Sequence, residues 1–173
     1  MKRIGIISDT HGDASAIRAC AILGAEADEW YHLGDHASDT EILSRYTDKP
    51  IYSVQGNCDF NAGIPLSRVM QVEGRRVLLM HGHGYGVAPK YTYRACLYAE
   101  EQECDVLLYG HTHVSEISTY GSILIVNPGS PSQPRGGRAP SFAMMKIDGS
   151  RADARIIGLD KRFYNKSGGF IIC

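Results

Sequence analysis

The stretch Ile4-Gly5-Ile6-Ile7-Ser8-Asp9-Thr10-His11-Gly12 decides the fold and gives the first indication of the chemistry. An apolar run this short, bounded by small residues, predicts a buried strand rather than a helix. The run ends in a carboxylate, which is followed two positions later by an imidazole. Because ligands of open α/β sheets bind beyond the carboxyl ends of the strands, metal-ligand side chains at strand ends should meet at one sheet edge. Side chains of this kind follow later apolar runs at Asp35, Asn57, His81, His111 and His113.

The composition is that of an ordinary globular domain. The chain has 173 residues, of which 43% are hydrophobic and 21% charged, with a net charge of -1, and we expect a single domain over residues 1–173. This charge balance gives no overall attraction to nucleic acid or to a membrane surface. No apolar run approaches the ~18 residues of a membrane span. Five cysteines without a Cys-x-x-Cys spacing predict reduced thiols and a cytoplasmic location.

Strands and helices alternate in the first third of the chain, which predicts parallel strands joined by crossovers. The pattern predicts a helix capped by Asp13, a strand over 30–33, a helix capped by Ser38 or Asp39, and a strand over 51–54.

The pattern then changes to hairpins. We expect strands over 68–72 and 75–80, a helix over 89–103 that begins at Pro89, a strand over 106–109, and hairpins turning near Gly121 and Gly149. This mixture predicts an α/β fold in which two mixed sheets pack face to face with helices outside. Residues 161–173 form a C-terminal tail of uncertain role.

The side chains at the strand ends suit a pair of divalent cations. Two cations about 3.5–4 Å apart form a clamp for in-line displacement at phosphorus, and one carboxylate can offer an oxygen to each of them. Two aspartates, one asparagine and four histidines supply both charged and neutral ligands. Mixed oxygen and imidazole donors favour manganese, iron, zinc, cobalt or nickel over calcium or magnesium alone.

Five short motifs in order resemble the calcineurin-like metallophosphoesterases, and most closely their small, single-domain phosphodiesterase branch. The motifs are Asp9-Thr10-His11, Gly34-Asp35, Gly56-Asn57-Cys58-Asp59, His81-Gly82-His83 and Gly110-His111-Thr112-His113. Each motif is weakly specific alone, but five in family order are strong. The resemblance extends to about Asn127-Pro128-Gly129-Ser130, roughly three quarters of the chain.

The resemblance implies the family's αββα four-layer sandwich and two metal ions, with manganese expected first. One ion would be held by Asp9, His11, Asp35 and His113, and the other by Asp35, Asn57, His81 and His111, so that Asp35 bridges. A metal-bridging hydroxide would attack the phosphorus of a small phosphodiester, because metal coordination brings the pKa of water to about 7.

The general acid is left open because Cys58 stands where most of the wider family has a histidine. A thiol with an ordinary pKa near 8.5 donates a proton less readily than an imidazolium. The candidates are Cys58, Asp59, His83 and metal-bound water. We therefore expect a strong preference for good leaving groups, such as those of aryl phosphodiesters.

Several residues keep two interpretations. Ser130 and Arg135 would meet a phosphate oxygen of the substrate, as would Asn57, but the segment 135–138 could equally be a solvated loop. His32 is expected to be packed or on the surface, and His36 either supports the site or has no role there.

Two other functions remain open for the whole chain. The fold also occurs as an interaction scaffold without robust catalysis, similar to the retromer subunit. A metal-dependent nuclease is the second alternative, but it would need a basic groove with stacking aromatics. A homo-oligomer is compatible with exposed hairpin edges.

Overall fold

A computed structural model describes residues 1–60, 63–149 and 151–160 of the chain. Its strands are β1 (Lys2–Ile7), β2 (Glu29–His32), β3 (Ile51–Ser53), β4 (Ser67–Val72), β5 (Arg75–Met80), β6 (Val106–Leu108), β7 (Glu116–Tyr120), β8 (Ile123–Asn127), β9 (Ser141–Asp148) and β10 (Arg151–Gly158). Its α-helices are α1 (Ala14–Leu23), α2 (Thr40–Leu43) and α3 (Tyr93–Glu101), and short 3-10 helices cover Ala37–Asp39 and His83–Tyr85. The predicted tail over 161–173 lies outside the described residues.

The strands form two mixed five-stranded sheets. The first has the order β10-β9-β1-β2-β3, with β1, β2 and β3 parallel and β9 antiparallel to both β1 and β10. The second has the order β4-β5-β6-β8-β7, with β5, β6 and β8 parallel and an antiparallel strand at each edge. The predicted crossovers and all three predicted hairpins are therefore confirmed.

Alternation along the strands divides the core into three apolar layers. Ile4 and Ile6 on β1 face Leu79 and Leu108 of the second sheet in the central layer. Ile7 faces the other way, into an outer layer beneath α1 and α2. A third layer lies between the second sheet and α3. The order helix, sheet, sheet, helix confirms the predicted αββα sandwich.

The helix predicted to begin at Pro89 begins instead at Tyr93, so this prediction was wrong by a turn. Ala88 and Tyr91 exchange two backbone hydrogen bonds of 2.8 and 3.2 Å across a tight turn. Lys90 lies within that turn with a left-handed φ of 68°, which no helix can accommodate. Helix α3 therefore begins only after this turn has ended.

The helix predicted after Ser38 or Asp39 is shorter than the apolar pattern suggests. It consists of a 3-10 turn followed by the four residues of α2. The carboxylate of Asp39 does not cap α2, because it accepts hydrogen bonds from the Thr10 hydroxyl and the Gly12 N–H. A side chain expected to start a helix instead supports the loop after β1.

None of the helices in the described ranges is long and apolar enough to cross a membrane.

Candidate metal centre

The loops that follow the parallel strands of both sheets meet at one edge of the sandwich. Asp9 follows β1, Asp35 follows β2, and His113 follows β6; all three side chains are buried, while His11 is half-buried. One ligand atom from each of these four residues lies within 4.8 Å of the others. The structure therefore brings together the four side chains that the resemblance assigned to the first ion.

A second group of donors adjoins the first through Asp35. The Nε2 atom of His81 lies 3.3 Å from Asp35 Oδ1 and 3.1 Å from Asn57 Oδ1. The rings of His81 and His111 have centroids 5.1 Å apart. Asp35 thus belongs to the first group of donors and also lies close to His81 in the second group, which is the position that a bridging carboxylate requires.

Main-chain carbonyls fix the orientation of two histidines. His113 Nδ1 lies 2.6 Å from the Gln133 carbonyl oxygen, and His81 Nδ1 lies 2.8 Å from that of Leu33. Since a carbonyl only accepts, Nδ1 carries the proton in both rings. The Nε2 lone pair of each neutral ring is then aimed at the carboxylates, as in metal-ligating histidines held by a second hydrogen bond.

The surroundings of the Asp9 carboxylate show whether these residues fit a cation. Its Oδ2 accepts the His111 main-chain N–H at 3.1 Å, whereas its fully buried Oδ1 accepts no hydrogen bond from any described group. His113 Nε2 lies only 3.1 Å from that oxygen. A buried carboxylate oxygen facing a lone pair is costly unless a cation lies between them. The donor set therefore fits a divalent metal ion, and its mixed chemistry fits a transition metal.

The same contacts change the acidity of these groups when no metal is bound. Burial tends to raise the pKa of Asp35, but hydrogen bonds from His81 and from the Cys58 N–H outweigh it and hold that pKa well below its usual range. For His81 and His113 burial opposes protonation, yet the adjacent carboxylates of Asp35 and Asp9, respectively, favour the protonated ring and raise each pKa. In the metal-free protein, protons on His81 and His113 therefore offset part of the negative charge that a cation would otherwise neutralise.

The backbone is unusual at the same positions. Five of the expected ligands have positive φ, namely Asp9 (55°), His11 (46°), Asp35 (54°), His111 (66°) and His113 (58°). Left-handed backbone at a non-glycine residue costs on the order of 1–3 kcal/mol and persists where the surrounding structure imposes it, often at functional sites. Aspartate and histidine tolerate it better than most residues.

A buried network that the sequence did not predict supports the two aspartate loops. His32 is fully buried; its Nδ1 accepts the Gly34 N–H at 3.2 Å, so its Nε2 donates to Thr10 Oγ1 at 2.9 Å. Thr10 in turn donates to Asp39 at 2.7 Å. Burial lowers the pKa of His32 to about 4, so the ring is neutral. The network ties the loop carrying Asp9 to the loop carrying Asp35.

The candidates for general acid are placed differently from one another. Cys58 is exposed beside Asp35, and desolvation together with a hydrogen bond to that carboxylate raises its pKa to about 11. Asp59 accepts the N–H groups of Ala37 and Gly56, both at 2.8 Å, so its carboxylate ties the loop after β3 to the loop after β2. His83 lies next to His81, with ring centroids 5.4 Å apart, and its Nδ1 is buried without a described partner.

The two other expected substrate contacts also differ. Ser130 is fully buried, and its hydroxyl donates to the Asp9 main-chain carbonyl at 2.8 Å while accepting the Gln133 N–H. It therefore positions the metal loop and is not available to a phosphate, which corrects that prediction. Arg135 is exposed, and its main-chain N–H donates to the His113 carbonyl at 3.0 Å. His36 lies at the periphery, with its ring centroid 5.2 Å from that of His11.

Comparison with known proteins agrees with this site. The family model for the calcineurin-like phosphoesterase superfamily domain matches residues 1–150. A probable metallophosphoesterase of Methanothermobacter thermautotrophicus is 38% identical, with 89% of this chain and 91% of that protein covered. The phosphodiesterase YfcE of Escherichia coli is 32% identical, with coverage of 86% and 89%.

A solved structure agrees as well. The crystal structure of a predicted phosphoesterase from Streptococcus pneumoniae TIGR4 is similar with a TM-score of 0.77 and 31% identity, covering 91% of this chain and 89% of that one. The family model covers most of the chain, and the two curated relatives match nearly their whole length. This chain therefore belongs to the calcineurin-like phosphoesterase superfamily, and it is a hydrolase.

Proposed function

We propose that the chain is a dinuclear metal-dependent phosphodiesterase that hydrolyses a small phosphodiester. The observation that carries this proposal is the position of Asp35, which is close to donors of both groups at the open edge of the sandwich. Two ions bridged there would present a net positive charge to an anionic ester. The name of the E. coli relative, a phosphodiesterase, supports the choice of a diester.

In this proposal Asp9, His11, Asp35 and His113 would hold one ion, and Asp35, Asn57, His81 and His111 would hold the other. Divalent ions, when bound, supply Lewis acidity and lower the pKa of water toward 7, which provides a nucleophile at neutral pH. Manganese is the expected metal, with iron, zinc, cobalt and nickel as alternatives.

The chain's own residues would orient the substrate and restrict the choice of leaving group. The carboxamide of Asn57 is exposed, so it can reach a phosphate oxygen as well as its neighbours in the site. Neither Cys58 nor His83 is a strong general acid. The raised pKa keeps the Cys58 thiol protonated but makes it a poor proton donor, and burial lowers the pKa of His83, which leaves that ring neutral at pH 7. Without a strong side-chain proton donor, the leaving group would depart largely as an anion, which favours aryl esters.

The experiment compares turnover of an aryl phosphodiester with and without manganese, for the wild type and for Asp35→Asn. We expect metal-dependent turnover that the substitution reduces by about 10²-fold or more, since an amide cannot bridge two cations as a carboxylate does. Equal turnover by Asp35→Asn, or turnover that survives complete chelation of metal, would refute the proposal.

The proposal extends to the cellular location of the protein. We infer a cytoplasmic location because the four cysteines in the described ranges are free thiols, which suits a reducing compartment. A homo-oligomer stays a prediction.

A further inference from the structure

A groove of about 570 Å³ opens directly beside the metal centre. His111, an expected metal ligand, and its neighbour Thr112 are among the residues that line it, so the groove adjoins the metal centre. One wall is formed by residues 87–90 and the other by residues 135–138. Any substrate group that extends from the metal centre in this direction must lie between these two walls.

Three cationic side chains line the groove, and no aspartate or glutamate is among the described residues that line it. They are Lys90 on one wall and Arg135 and Arg138 on the other; all three are exposed. None of them forms an ion pair with a described residue, whereas Arg75, Arg151 and Arg155 elsewhere on the surface do. Cations that converge on a groove without acidic partners are suited to an anionic ligand.

Local backbone structure presents these cations on short, defined turns. The Arg138 N–H donates to the Arg135 carbonyl at 3.1 Å, and the intervening glycines Gly136 and Gly137 have φ of 62° and 70°. The Arg135 N–H anchors this turn to the His113 carbonyl. On the opposite wall, Lys90 lies within the turn closed by Ala88 and Tyr91. The wall that carries the two arginines is therefore attached to the metal centre itself.

We propose that this groove binds a second phosphate of the substrate, so that the enzyme acts on small phosphodiesters that carry a further phosphate beyond the scissile one. This inference rests on the proposed function for the identity of the scissile group, but the groove itself can be tested without turnover. The groove holds a small ester rather than a nucleic acid strand, because three cations in this volume cannot follow a backbone of many phosphates.

The test measures binding to the full chain, loaded with manganese, by isothermal titration calorimetry, so that the metal centre holds one phosphate and the groove is free for the other. The probes are thymidine 3′,5′-bisphosphate and thymidine 5′-monophosphate, which differ only in the second phosphate. We expect the bisphosphate to bind the wild type about tenfold more tightly, as a single charge-assisted hydrogen bond provides. The preference should disappear in Arg135→Ala/Arg138→Ala.

A matched control removes the same two charges elsewhere. Arg45 and Lys146 are exposed and line other surface grooves, so Arg45→Ala/Lys146→Ala changes the net charge equally. This control should keep the preference for the bisphosphate. The inference is overturned if the wild type binds both nucleotides equally, if both double variants lose the preference alike, or if the Arg135/Arg138 variant keeps it. A single-stranded decamer that binds more tightly than the bisphosphate, with loss in the same variant, also overturns it in favour of nucleic acid.

Turnover separates this inference from the proposed function. With manganese, the 5′-p-nitrophenyl ester of thymidine 3′,5′-bisphosphate should have a kcat/KM about tenfold above that of thymidine 5′-p-nitrophenyl phosphate, and only the Arg135/Arg138 variant should lose the difference. Turnover of both esters at equal rates refutes the groove and leaves the phosphodiesterase intact. Bisphosphate-selective binding without any turnover refutes the phosphodiesterase and supports a phosphate-binding groove alone.

Discussion

Gly56 offers the sharpest single perturbation of the metal centre, because it packs directly against the backbone of Asp35. A Cβ added to Gly56 would lie 2.2 Å from both the main-chain N and Oδ1 of Asp35 and 2.9 Å from its Cα. Two of these atoms belong to the backbone and cannot rotate away. Gly56→Ala therefore has to push the loop after β3 away from the loop after β2.

The size of this movement follows from the contact distances. Ordinary contact begins at 3.4 Å, so the two loops must separate by about 1.2 Å. The hydrogen bond from the Cys58 N–H to Asp35 Oδ1, now 2.8 Å, would stretch well beyond the range of a hydrogen bond. Overpacking of this kind costs about 1–3 kcal/mol of stability. Misplacing a catalytic group by about 1 Å can cost about 10²-fold in rate.

Gly84→Ala is the matched control, because no described atom lies within 4 Å of its added Cβ although Gly84 follows His83. Three measurements on each variant suffice: urea unfolding in the presence of chelator, manganese affinity by calorimetry, and kcat/KM on an aryl phosphodiester. We expect Gly56→Ala to lose stability, metal affinity and about 10²-fold in kcat/KM, while Gly84→Ala stays within about threefold of the wild type. Wild-type manganese affinity and turnover in Gly56→Ala would show that the close approach of these loops does not position Asp35.

Three further predictions concern protons. The pKa values of His81 and His113 are raised in the metal-free protein, so metal binding should release protons. Metal affinity should therefore decrease as the pH falls through those values, by up to about tenfold per pH unit for each proton displaced. Calorimetry in buffers of different ionisation enthalpy counts the released protons, and a count of zero contradicts the assignment of these ligands. The pKa of His32 is lowered to about 4 in the folded state, so the unfolded chain binds this proton first as the pH falls. The free energy of unfolding of the metal-free protein should therefore decrease by up to about 3 kcal/mol between about pH 6.5 and about pH 4. Urea unfolding of His32→Gln should lack this decrease. Cys58→His should make kcat depend less steeply on the pKa of the phenol leaving group, because an imidazolium donates a proton more readily than a thiol; an unchanged slope over a series of aryl phosphodiesters would exclude position 58 as the proton donor.

The sequence predicted well those features that depend on residues close together in the chain. The turn Glu73-Gly74 was recognised as a hairpin, and both residues have positive φ, 50° and 82°, as a two-residue hairpin turn requires. The positions of Asp9 and Asp35 followed from where apolar runs stop, because strand ends place side chains at the sheet edge whatever the remaining packing.

Features set by a distant partner or by a competing local turn could not be predicted. Asp39 is a residue type that commonly caps helices, but its carboxylate accepts a hydrogen bond from the hydroxyl of Thr10, 29 positions earlier in the chain. Ser130 resembled a phosphate-binding serine, yet its hydroxyl bonds to Asp9, 121 positions away. Pro89 suits a helix start, but the hydrogen bonds between Ala88 and Tyr91 form a tighter turn there. In each case a nonlocal or competing partner outweighed the local preference.

The central claim is that a single aspartate bridges two ions, and electron paramagnetic resonance of the manganese-loaded protein tests it most directly. With metal content measured in parallel, we predict two manganese ions per chain with an exchange-coupled spectrum, and in Asp35→Asn the loss of that coupling with no more than one tightly bound ion. A wild-type protein that binds a single isolated ion, or an Asp35→Asn variant that keeps two coupled ions, would contradict the account.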